Sequence, residues 1–199
     1  MKKVIIGVLA LLGFGTMQAS AQSISYGVKA GVNWSNYIVE NAVQTKSDMK
    51  SGATVGGFAT IEVTKCFAVQ PELLVNYQNS DYRSKAGGRT DNLEYWGLEI
   101  PVYAMGQLFT KSGNRFFAGV GPYLGYGLSL KLDQKPKVNF YDDDWKRLDF
   151  GGKVTAGYEF AFGLQFNLSY RIGVVNAVDK HDDQKMLPQA LSVGAGFRF

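Results

Sequence analysis

The chain holds one histidine, His181, beside Asp182 and Asp183. With a serine brought close in space, such a trio is what nucleophilic acyl transfer uses: the imidazole takes the hydroxyl proton and a carboxylate orients the ring. The same residues offer nitrogen and oxygen to a metal, but further histidine or cysteine ligands are lacking. Asp142, Asp143 and Asp144 offer oxygens to calcium without the glycine and glutamate spacing of an EF-hand. The run Gly119 to Gly127 is glycine-rich, yet no Gly-Lys-Ser/Thr follows it to cradle a phosphate. The lone cysteine, Cys66, permits no internal disulfide and reads as a small strand-end or turn residue. The histidine and aspartate clusters read as solvated surface charge. The chain is therefore expected to be non-enzymatic, with no catalytic residue, cofactor or metal.

A second set of charges is placed differently. Lys29, Lys153, Arg171 and Arg198, with Glu62, Glu72, Glu99 and Glu159, all fall at alternate positions inside apolar stretches. Successive strand residues point to opposite faces, so strict alternation marks a strand with one oily and one polar face. Eight such segments follow one another: Ile24 to Ser35, about Ala53 to Val63, Phe67 to Gln78, about Asn92 to Leu108, Arg115 to Leu130, Phe150 to Phe160, Gly163 to Val175 and Gln189 to Phe199. In the first, Tyr26, Val28, Ala30, Val32 and Trp34 oppose Gly27, Lys29, Gly31, Asn33 and Ser35. In the last, Leu191, Val193, Ala195, Phe197 and Phe199 oppose Ser192, Gly194, Gly196 and Arg198. Leu74 breaks the alternation of the third. The closing strand ends on an aromatic, and an open edge there would invite aggregation. Pairing with the first strand closes a barrel, with Phe197 and Phe199 as the closing signal.

Connections alternate in length. Thr64 to Cys66, Lys111 to Asn114 and Ala161-Phe162 are short. Asn36 to Gly52, Asn79 to Asp91, Lys131 to Asp149 and Asn176 to Pro188 are long. Short turns on one side and long polar loops on the other is the plan of an outer-membrane barrel, with the turns in the periplasm. Pro71, Pro101 and Pro122 lie inside strands and each deletes a ladder hydrogen bond, which bulges are expected to absorb.

Which face meets lipid decides between two barrels. A soluble, lipocalin-like barrel has the same strand plan with the apolar face turned inward around a ligand, and Gly31-Val32-Asn33-Trp34 contains a matching Gly-x-Trp. Against this, aromatics gather at both ends of the apolar faces: Trp34, Tyr77, Trp96, Tyr126 and Phe150 toward the loops, Tyr26, Phe67, Phe116, Phe160 and Phe199 toward the turns. Two such bands match the girdles at a membrane's interfaces. A basic residue facing lipid at mid-depth costs ~2–4 kcal/mol, and several together rival the ~5–15 kcal/mol stability of a domain. The eight alternating charges therefore point inward. The interior of an eight-stranded barrel is just wide enough for side chains to fill it, so they are expected to pair into a network that plugs the lumen. A proton or ion path through the same charges is the alternative.

The N-terminus supplies the address. Met1-Lys2-Lys3, the apolar run Val4 to Phe14 and Ala19-Ser20-Ala21 read as a cleavable signal peptide over residues 1–21, leaving 22–199 as the barrel domain. The apolar run is shorter than the ~20 residues of a spanning helix. The formal charge of +4 is halved by loss of Lys2 and Lys3 and is too mild to imply a nucleic-acid partner.

Five short motifs carry a family resemblance: Gly27-Val28-Lys29-Ala30-Gly31-Val32-Asn33, Gln70-Pro71-Glu72-Leu73, Leu98-Glu99-Ile100-Pro101, Gly119-Val120-Gly121-Pro122-Tyr123 and the closing Gly-x-Gly-Phe-Arg-Phe. In this order they resemble the small outer-membrane β-barrel proteins of Bacteroidetes-type bacteria, the porin-family or PorT-like group. The resemblance covers nearly all of the chain after Ala21. It implies an eight-stranded antiparallel up-and-down transmembrane barrel in the outer membrane of a Gram-negative envelope, and no catalytic residues.

The expectation is an all-β barrel acting through its long loops as a surface anchor, an adhesion or partner-binding module, or a structural part of the envelope. Tyr37, Tyr141 and Trp145 are the loop contact candidates. Expected partners are the lipid bilayer, the barrel assembly machinery and an extracellular or envelope protein. A narrow pore through the lumen and a soluble ligand-binding barrel are the alternatives.

Overall fold

The computed structural model describes residues 23–40, 50–84, 89–132, 148–174 and 185–199. Eight strands follow in order: β1 (Ser23–Glu40), β2 (Lys50–Thr64), β3 (Phe67–Ser84), β4 (Arg89–Phe109), β5 (Arg115–Leu132), β6 (Leu148–Glu159), β7 (Leu164–Gly173) and β8 (Lys185–Arg198). Each pairs antiparallel with its neighbours, and β8 returns to β1 to close a barrel. The seam runs from Gly27 opposite Arg198 to Glu40 opposite Lys185. Beyond the last ladder pair, Phe199 donates its N–H to the Tyr26 carbonyl at 2.9 Å. No sheet edge remains along the seam, which removes the aggregation hazard of an open strand.

Alternation sets the faces. Along β7, Gln165, Asn167, Ser169 and Arg171 are buried while Phe166, Leu168, Tyr170 and Ile172 are exposed. The same holds round the barrel: Val28, Val55, Leu73, Val120, Val154 and Val193 all lie on the outside. Apolar exterior and polar interior is the reverse of a lipocalin, and that alternative fails on this ground. Ten or more residues per strand suffice to cross a bilayer at the usual tilt.

The short turns are built by glycine where the backbone requires it. Gly113, in the turn between β4 and β5, has φ +80°, and Gly163, between β6 and β7, has φ +99°. L-residues with side chains avoid this region. The two turns are clasped together, Ala161 N–H donating to Asn114 Oδ1 at 3.0 Å. Cys66 sits exposed in the turn between β2 and β3.

Three expectations are corrected. The strands outrun the apolar alternation at the loop end. β3 and β4 stay paired out to Ser84 opposite Arg89, and β1 and β8 out to Glu40 opposite Lys185. Much of the expected loops Asn36 to Gly52 and Asn79 to Asp91 is therefore strand. Above the girdle a ribbon loses its oily face but keeps its ladder, so a pattern of hydrophobicity cannot find it. Tyr37 accordingly lies in β1 opposite Pro188, not in a loop, and its side chain lies outside the described residues. Finally, the prolines need no bulges. Pairing lapses beside Pro71 and Pro101 and resumes in the same register. The register shifts fall elsewhere, at Glu62/Thr64 and Trp96/Gly97.

The lumen as the candidate functional site

Inward-facing charges gather into three groups along the barrel. At the turn end, Arg115 Nη2 lies 2.5 Å from Glu159 Oε2, and Arg198 Nη2 lies 2.5 Å from Glu159 Oε1. Arg198 Nη1 also reaches Glu62 Oε1 at 3.2 Å, and Ser23 donates its hydroxyl to Glu62 Oε2 at 2.9 Å. In the middle, Lys29 Nζ donates to both oxygens of Glu72, at 2.9 and 2.8 Å. Gln70 Nε2 adds a bond to Glu72 at 2.8 Å and accepts the Thr60 hydroxyl on its carbonyl at 2.9 Å. Toward the loops, Glu99 holds Lys153 on one oxygen and Arg171 on the other at 2.7 Å, with Asn76 Nδ2 at 3.1 Å. Asp149 completes this group by accepting the Tyr123 hydroxyl at 2.8 Å, with Arg171 at 4.0 Å.

Among the described residues each group balances its own charge: two cations with two anions at the turn end, one with one in the middle, two with two above. Burial makes this necessary. A charge taken from water without a partner costs several kcal/mol, and a close opposite charge with satisfied hydrogen bonds offsets it.

Apolar side chains separate the turn-end group from the two above it. Ala68, Tyr103, Met105 and Phe117 form one buried cluster. Along β4, Met105, Tyr103 and Pro101 separate Gln107 at the turn end from Glu99 above, and all are buried. Along β5, Phe117 follows Arg115, whose guanidinium lies 5.3 Å from its ring centroid. Phe58 and Phe117 fit because the facing lumen residues are glycines: a Cβ on Gly27 would stand 2.2 Å from the Phe58 ring, and one on Gly157 2.3 Å from the Phe117 ring. Gly27 and Gly157 are thus the footprints of the rings beside them. A cavity of about 10 Å³ remains between the middle and upper groups, lined by Lys29, Thr54, Leu74, Lys153, Asn167 and Ser169. That volume suits a single water molecule.

All eight charges expected in the lumen, Lys29, Glu62, Glu72, Glu99, Lys153, Glu159, Arg171 and Arg198, face inward and pair. Glu62 and Arg198 are the least buried, with side chains 26% and 21% accessible at the turn-end mouth. Two members escaped the sequence pattern. Arg115 is the first residue of β5, where alternation has no preceding partner, and Asp149 lies in what reads as a loop. Phe197 on β8 and Phe199 just beyond its end are exposed on the outside. Tyr141 and Trp145, with His181 and the aspartates 142–144 and 182–183, lie outside the described residues, as does the expected signal peptide.

The outer wall carries the two aromatic bands. At the loop end the Tyr77 and Trp96 rings lie 5.0 Å apart. At the turn end Phe116, Tyr158, Phe160 and Phe162 form a chain of ring contacts with centroids 4.7 to 5.5 Å apart. Interfacial depth is where aromatic rings settle in a bilayer.

This combination of closed barrel, apolar girdled wall and ionic interior defines an integral outer-membrane β-barrel. The chain belongs to the outer membrane protein beta-barrel domain family, whose model matches residues 7–199. Among solved structures it is similar to the outer membrane protein OprG of Pseudomonas aeruginosa, with 12% identity, a TM-score of 0.55, and coverage of 90% of this chain and 98% of that one. It is also similar to Neisserial surface protein A, with 15% identity, a TM-score of 0.50, and coverage of 89% and 99%. At these identities the likeness is one of fold. No curated protein matches the chain by sequence. The protein is thus an eight-stranded barrel of the outer membrane.

Proposed function

We propose that this barrel is non-enzymatic and non-conducting, and that its extracellular end does the work, as a surface anchor, an adhesion or partner-binding module, or a structural element of the envelope. The observation that carries this reading is the filled lumen. Among the described residues three self-neutral charge groups fill the lumen, an apolar cluster lies above the turn-end group, and the cavity described between the middle and upper groups is water-sized. Function then falls to the end where β1 with β8 and β3 with β4 rise past the aromatic band. The connection 133–147 joins β5 to β6 at that end, and its Tyr141 and Trp145 are the contact candidates. We place the chain in the PorT-like branch of Bacteroidetes-type barrels on its five motifs, with cleavage before Gln22 and with Phe197 and Phe199 read by the assembly machinery. Lipid is its obligate partner.

Two measurements test the reading. Purified protein in planar bilayers gives no conductance steps; steps abolished by Glu72→Gln or Arg171→Gln would install the narrow-pore alternative. A pull-down from envelope and host-surface fractions, run with the native chain and with 133–147 replaced by a short turn, loses its captured protein in the second case. Equal capture by both overturns the assignment to that connection.

A further inference from the structure

The seam between β1 and β8 is held by backbone pairs along its length. On its lumen side Gly27 faces Arg198, Lys29 faces Gly196, Gly31 faces Gly194 and Asn33 faces Ser192, so from Ala190 to Arg198 the one charged side chain that β8 contributes is Arg198. Its Nη1 reaches Glu62 on β2 at 3.2 Å and Ser25 on β1 at 3.4 Å, and its Nη2 reaches Glu159 on β6 at 2.5 Å. It therefore spans both flanking strands, β1 on one side and β7 on the other. The contacts continue outward from it. Glu159 also binds Arg115 on β5, Arg115 Nη1 donates to Gln107 Oε1 on β4 at 2.9 Å, and Glu62 accepts from Ser23 on β1. The result is a belt through β4, β5, β6, β8, β2 and β1 at the turn-end mouth. Among the described side chains, Arg198 carries the charged contacts that cross the seam.

Its backbone is held from within the β6–β8 meander as well as by the seam. Arg198 N–H donates to the Gly163 carbonyl at 2.9 Å, in the turn between β6 and β7. A side chain on Gly163 would meet the Arg198 carbonyl at 2.3 Å, so the glycine is what lets the strand end sit there. The β6–β7–β8 meander thus holds the guanidinium on Glu159 and presents it to the β1–β2 hairpin, which carries Ser25 and Glu62. A planar guanidinium with five donors can hold two carboxylates in fixed directions, which an ammonium cannot. Glu62 and Arg198 keep some contact with water, so the open seam leaves no fully buried unpaired charge.

We propose that Arg198 is the clasp of the barrel: a positioning residue whose bridge between Glu159 on β6 and Glu62 on β2 holds the β1–β8 seam closed. The test is hydrogen exchange of the folded protein in lipid vesicles, resolved by strand. Arg198→Gln and Glu62→Gln each accelerate exchange of β1 and β8 amides near the turn end by about tenfold, and leave β4 and β5 amides as they were. Glu72→Gln is the control, since its partner Lys29 lies on β1 but the pair does not cross the seam; it raises exchange over the whole barrel instead. Arg198→Lys keeps the charge and still fails to restore seam protection. Wild-type protection in Glu62→Gln, an even rise over all strands, or full rescue by Arg198→Lys overturns the proposal. Should Arg198→Gln not fold, Glu62→Gln decides alone, because it removes the ionic part of the seam crossing, leaving only the 3.4 Å contact to Ser25, and keeps the anchor on Glu159.

Discussion

Lys29 on β1 and Glu72 on β3 meet over the intervening β2, the ammonium within 2.9 Å of both carboxylate oxygens. Both residues are buried. Removing one partner leaves the other uncompensated, which costs ~3–5 kcal/mol, whereas an apolar replacement of both is often nearly neutral. Lys29→Met and Glu72→Met each lower stability by about that amount. The double variant recovers most of the loss. Urea unfolding of the vesicle-reconstituted barrel, followed by gel mobility, measures all three.

Glu99 is the more heavily used carboxylate. It carries Lys153, Arg171 and Asn76 at once. Glu99→Gln takes a carboxylate from both Lys153 and Arg171 where Glu72→Gln takes one from Lys29 alone, and its loss exceeds that of Glu72→Gln in the same unfolding assay. Equal losses would mean that Asp149, already 4.0 Å from Arg171, takes over the freed guanidinium.

The faces of the barrel were legible in the sequence because the side-chain period of a strand is two and one residue of slip would expose every charge to lipid. Lys29, Glu99 and Arg171 could be placed inward from that rule alone. Their partners could not. Lys29 meets Glu72 rather than Glu62 because of the barrel's stagger, which is set by strand tilt and not by local pattern. Met105 and Phe117 were hidden for the opposite reason: they are apolar residues on the polar face, where Leu74 showed only as a break in the alternation. The bare glycines opposite Phe58 and Phe117 were the available signal.

Gly157, opposite Phe117, and Gly152, which faces no ring, make a sharp pair of substitutions. Gly157→Ala drives a methyl into the Phe117 ring and toward the Phe166 carbonyl, at 2.4 Å, and destabilises by about 1–3 kcal/mol. Gly152→Ala meets nothing within 4 Å and leaves stability unchanged within ~0.5 kcal/mol. Comparing the two in one unfolding series separates lumen crowding from a general dislike of replacing strand glycine.

The outer wall answers to lipid. Val120 is 59% accessible and flanked by Ala104 and Val154 on the neighbouring strands. Val120→Arg costs ~2–4 kcal/mol in vesicles if this point lies near the bilayer midplane, while Val120→Leu costs almost nothing. In a water-facing strand the arginine would be harmless, so vesicle unfolding of this one variant checks which solvent the wall sees.

The separate neutrality of each charge group bears on how the protein responds to voltage. Moving one elementary charge through a membrane potential is worth ~2.3 kcal/mol per 100 mV, the work that drives voltage sensors. Here each cation is tied to an anion of its own group, so a field along the barrel axis pulls every bonded set both ways with no net force. On the non-conducting reading proposed above, the described interior would act as an insulator, with no unbalanced charge for the membrane potential to move.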